Sequence, residues 1–136
     1  MVNLERPRPR KADNTNRTRS GSESPQEIPL YQKKDYLLDA IGARRTTASL
    51  GLTDAQPLKD WTGESVPPGI SDVKVRALYD VVHEIEETFS VDTAAGFLER
   101  RNTLLNGRAP LLVLANGEPE EAARDIRMAA NYLLQK

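Results

Sequence analysis

One imidazole, His83, and no thiol stand in a chain of 136 residues, so nucleophile–base chemistry has a single place to be sought. A catalytic triad needs a nucleophile and an orienting group around that histidine, and no Gly-flanked serine elbow occurs. His83 follows Val82 at the edge of an apolar stripe, which reads as a partly exposed helix histidine. The carboxylates fall at exposed positions and helix starts, the pattern of solvated faces rather than of a pair held in an apolar pocket. No Gly-rich phosphate loop of the P-loop or dinucleotide type appears. The absence of cysteine excludes a disulfide scaffold and a thiolate metal site, and one histidine excludes a His-rich one. These residues describe a binding protein, not an enzyme, with no metal and no cofactor.

Charge is distributed unevenly. Residues 1–20 carry six basic side chains (Arg6, Arg8, Arg10, Lys11, Arg17, Arg19) and two acidic ones, a net of +4. The rest of the chain carries thirteen basic and eighteen acidic, a net of −5. A basic arm ahead of an acidic body suits contact with a polyanion, and equally a solubilising leader. Prolines and small polar residues leave almost nothing to bury before Glu27, so residues 1–27 are expected to be a disordered basic tail. No apolar run reaches membrane-spanning length and no signal peptide opens the chain, so a soluble, cytoplasmic protein is expected.

The elements behind these residues all read as helices. Leu30, Tyr31, Leu37, Leu38 and Ile41 recur at helical spacing, with Gly42 at the stop. Thr46 and Thr47 offer a cap for a short helix closed by Gly51, and Asp54 caps the next, with Leu58 and Trp61 on one face. Helix, glycine turn, helix and an inward Trp outline a helix-turn-helix over 28–66. Ser65 to Gly69 is a hinge. Beyond it, Ser71 or Asp72 starts a long helix whose stripe is Val75, Leu78, Val82, Ile85 and Phe89. Ser90 or Asp92 caps a further helix with Ala94, Ala95, Phe97 and Leu98 inward. Asn102 to Gly107 turns the chain, Pro110 opens a helix closed by Gly117, and Pro119 opens the last, buried through Ala122, Ile126, Ala129, Ala130 and Leu133. Leu111 to Val113 has strand-like residue types, but no partner strand exists to pair it. The predicted fold is all-α.

In the C-terminal half, Phe97-Leu98, then Asn102, Leu105, Gly107, Pro110, Leu114 and Gly117 in order, then an Ala-rich final helix, resemble the toxin-binding domain of Xre/MbcA/ParS-type antitoxins. The resemblance runs from about Leu37 to Lys136 and includes a preceding helix-turn-helix. It departs in having Phe97 where Trp is common, and in a helix-turn-helix about one residue out of register.

The resemblance implies a type II antitoxin that binds a RES-domain, NAD-consuming toxin and represses its own operon. Residues 67–136 become the toxin-binding domain. Arg100, Arg101 and Arg108 gather near one turn and could pair with a partner's carboxylates. With Asn102, and with Asn131, Tyr132 and Lys136 at the chain's end, they are the expected toxin contacts. Arg44, Arg45, Thr53, Gln56 and Lys59 are the expected DNA contacts, although Asp54 and Asp60 set negative charge beside them. The alternative is a helix-turn-helix regulator whose C-terminal domain only dimerises.

Overall fold

The computed structural model describes residues 28–135, and every described secondary-structure element is helical. The basic arm over 1–27 and Lys136 lie outside the described residues. The α-helices are α1 Leu30–Ala40, α2 Gly42–Ser49, α3 Gln56–Asp60, α4 Asp72–Thr88, α5 Val91–Glu99, α6 Pro110–Asn116 and α7 Pro119–Leu134. A 3₁₀ turn, η1 Thr103–Leu105, joins α5 to α6. No strand occurs among the described residues, and Leu111 to Val113 is helical.

Local chemistry sets most helix starts. The Ser71 hydroxyl accepts the Lys74 amide at the head of α4, and Ser90 accepts the Thr93 amide at the head of α5. Pro110 and Pro119 occupy first-turn positions where no amide donor is required. The Glu118 carboxylate accepts the Glu120 amide, and Glu120 and Glu121 add negative charge at the positive end of α7.

Three details differ from the sequence reading. Thr46 and Thr47 do not cap α2; they lie inside it, and the Thr46 hydroxyl donates to the Gly42 carbonyl four residues back. The helix therefore begins at Gly42, whose φ of +90° makes the corner between α1 and α2. Second, α3 starts one residue later than expected. Ala55 is its flanking residue, while Asp54 still accepts the Gln56 amide at 3.1 Å. Third, Phe89 is not buried in the α4 stripe but 46% exposed. The helix ends at Thr88, and at φ −126°, ψ −90° Phe89 has left the helical register that would carry it inward.

The α4 helix is the hub, packing against α1, α5 and α7, while α2 packs on α6. Val75, Leu78, Val82 and Ile85 are fully buried along it. Each such side chain contributes ~1.5–3 kcal/mol relative to exposure. One hydrophobic cluster joins Leu37, Ile41, Leu58 and Trp61 to Leu98, Leu114 and Ile126, so the segments 28–66 and 67–135 share a core. Trp61 seats α3 on α1: the buried Lys34 ammonium donates to the Trp61 carbonyl at 2.6 Å and lies 5.9 Å from its ring centre. The Trp61 indole N–H donates to the Gly63 carbonyl at 2.7 Å.

Candidate functional site

The η1 turn is built from its own backbone. The Asn102 carbonyl accepts the Leu105 and Gly107 amides, and its side-chain oxygen accepts the Leu104 amide at 2.9 Å. Left-handed Asn106 and Gly107 (φ +60° and +78°) then return the chain, and the Asn102 amide donates to the Arg108 carbonyl. Consequently Leu105 is driven into the core, 3% exposed, while its neighbour Leu104 is held outward at 40%.

Alongside, α7 buries Ala122, Ala123, Ile126, Ala129 and Ala130 and turns Met128 and Tyr132 to solvent at 43% and 55%. These two residues are four apart and so lie on one strip of the helix. Leu104, Met128 and Tyr132, with Arg124, Asn131 and Gln135, line a groove of about 800 Å³. A smaller groove, lined by Phe97, Arg101, Asn102 and Leu133, shares Leu104 and Tyr132 as its dividing wall. Arg127 is fixed beside the first groove by an ion pair to Asp80 of α4 at 2.9 Å. An outward apolar row with guanidinium groups around it suits burial against another chain, because Tyr, Met and Arg are favoured where water is excluded.

The structure brings together four of the expected toxin contacts: Arg101, Asn102, Asn131 and Tyr132. The three arginines do not form one group. Arg108 donates to the Leu105 carbonyl and lines a separate cleft with Glu118, Glu121 and Asp125. Arg100 is exposed at the end of α5 and lines neither groove. The Asn102 side chain is committed to holding the turn. Leu104 and Met128 were missed. The available sign was Met128 and Tyr132 at helical spacing, off the buried Ala122/Ile126/Ala129/Ala130 face.

The expected DNA face is arranged differently. Arg44 and Arg45 both bind Glu99 of α5, at 3.3 and 3.0 Å, and Arg45 also donates to the Ile41 carbonyl. Hydrogen bonding to Arg45 holds the Glu99 carboxyl below its usual range. Gln56 is tied to Asp60 at 2.8 Å, while Thr53 and Lys59 are exposed. The α3 helix has five residues, with Asp54 and Asp60 at its ends.

His83 stacks on Tyr79 at 5.3 Å, meets Tyr36 edge-on at 5.7 Å and lies 3.7 Å from the Glu87 carboxylate. Burial, and then a hydrogen bond to Glu86, push the Tyr36 phenol above its ordinary range. Among the described residues no cluster of His, Cys, Asp or Glu could hold a metal ion, and no helix is long and apolar enough to cross a membrane. No protein-family model, no curated protein and no solved structure matches this chain.

Proposed function

We propose that this chain is an antitoxin of the Xre/MbcA/ParS type, neutralising a partner toxin by covering it with the Leu104/Met128/Tyr132 face. The observation that carries the reading is that outward apolar row on α7 and η1, flanked by Arg101 and Arg124. The ordered motif from Phe97 to Gly117 supports the choice of family. Inhibition then comes from buried interface area and steric exclusion, so the antitoxin needs no catalytic group of its own. The partner is a RES-domain toxin, and occlusion keeps NAD from its site. Repression of the operon through α2 and α3 is the weaker component, because Arg44 and Arg45 are engaged by Glu99.

The test is co-expression with the neighbouring gene product, read as growth and pull-down. Leu104→Ala/Tyr132→Ala should keep the helical circular-dichroism signal and lose both toxin capture and protection. Full protection by a folded double variant overturns the placement of the interface. A homodimer that the same substitutions dissolve, with no toxic neighbour, favours the plain regulator instead.

A further inference from the structure

A separate groove of about 480 Å³ runs between α1 and α4. Its wall is aromatic: Tyr36 meets Tyr79 edge-on at 5.1 Å, and His83 stacks on Tyr79. Its rim is acidic. The Tyr36 hydroxyl donates to Glu86, and Glu87 stands beside His83 with its side chain 68% exposed. Among the described residues, no lysine or arginine is paired with Glu84, Glu86 or Glu87. The Lys33 ammonium lies 5.1 Å from the Tyr79 ring centre, so one cation already uses that ring. The partly exposed Tyr36 and His83 rings, beside carboxylates that no described lysine or arginine neutralises, form a receptor for guanidinium groups, which stack on the former and fork onto the latter.

The sequence carries such groups ahead of the groove's first residue. Ile28, the first described residue, is part of the groove's lining. Arg19 and Arg17 precede it by nine and eleven residues, a reach of up to ~30–40 Å when extended. The other hollow at Ile28 mixes Lys33 and Arg76 with Glu64 and Asp72, so it offers a cation no preference. We infer that the Tyr36/His83/Glu86/Glu87 groove receives the chain's own N-terminal arm, with Arg17 or Arg19 seated on it. The tether makes the contact intramolecular, at an effective concentration in the millimolar range for a short connection. An arm held there competes with any polyanion for the same arginines.

The absence of cysteine and the single histidine make the test clean. A nitroxide on Thr15→Cys of the full chain is read through the His83 ring proton by NMR. At ~0.01 M salt, where charges act over ~30 Å, the signal should be at least about twofold weaker than with Arg17→Gln/Arg19→Gln carrying the same label. Glu86→Gln/Glu87→Gln, and ~1 M salt, should restore the signal to the same degree. Equal intensity in all these samples overturns the proposal. Attenuation of His83 in an unlabelled chain mixed with labelled chain, and none within one chain, assigns the groove to a second copy's arm and also overturns it.

Discussion

Trp61 and Tyr132 each define one face of the molecule, and they are treated in opposite ways. Trp61 is 2% exposed, roofed by Lys34 and closed by its own bond to Gly63. Tyr132 is 55% exposed, on a strip of apolar groups that the fold leaves facing water. Elsewhere in the N-terminal half, Arg44 and Arg45 are taken up by Glu99 and Gln56 by Asp60. On the Tyr132 face, Leu104 and Met128 remain outward. A face whose polar groups satisfy one another has little to offer a partner. A face with unburied apolar groups gains when one arrives.

The largest expected effect breaks the first face. Trp61→Ala should cost ~3–5 kcal/mol, through lost transfer energy and the cavity left behind. Denaturant melting checks it, and a wild-type-like curve would put Trp61 among contact residues rather than in the core. The glycine turns come next. Gly51, at φ +73°, has the Ala115 carbonyl oxygen 2.9 Å from where a Cβ would sit, so Gly51→Ala should cost ~2–3 kcal/mol. Gly107, at φ +78°, has nothing within 4 Å, and Gly107→Ala should cost only ~1 kcal/mol. Equal losses would show that dihedral strain alone sets the cost at both turns and that the close approach to α6 adds nothing.

Tyr132→Ala sharpens the contrast from the other side. Its melting should stay within ~0.5 kcal/mol of wild type. Under the proposed function, its binding to the toxin should weaken by ~2 kcal/mol. Denaturant melting reads the first and calorimetric titration with the toxin reads the second, each against wild type. The smallest effect belongs to Glu99. Its carboxyl sits below the ordinary value of 4.5 because Arg45, and after it Arg44, bind the charged form. The stabilisation is therefore present above the unfolded pKa and is lost as pH falls through the lower folded value. Glu99→Gln should melt slightly below wild type near neutrality, and the gap should narrow as pH drops below 4.5 and close below the lower folded value.

Helix order was legible from Ser71 onward because the starts there carry local chemistry: Ser71, Ser90, Pro110, and Glu118 with Pro119 act within three residues of themselves. The errors arose where a local sign had two outcomes. A threonine hydroxyl either caps a helix or donates back inside one, and Thr46 does the latter. Phe89 keeps the stripe's spacing, but spacing does not say where a backbone leaves the helix. The site was legible in part. Asn102, Gly107 and Pro110 announced the turn, and Tyr132 the exposed end of α7. The Arg44–Glu99 pair spans 55 positions, so only the packing of α2 near α5 brings it together. The same dependence separates Arg108 from Arg101, seven positions apart yet in different clefts.

The buried lysines turn the fold into a clock. Lys33, Lys34 and Lys74 are 2%, 2% and 9% exposed, and the Lys74 ammonium is bound to the Ala115 carbonyl at 3.1 Å. Lys59 stands in solvent. An amine-acylating reagent would therefore mark Lys59 at once and reach the other three only when α1 or the start of α4 opens. Mass spectrometry of that order, peptide by peptide, times the opening of each segment without unfolding the whole.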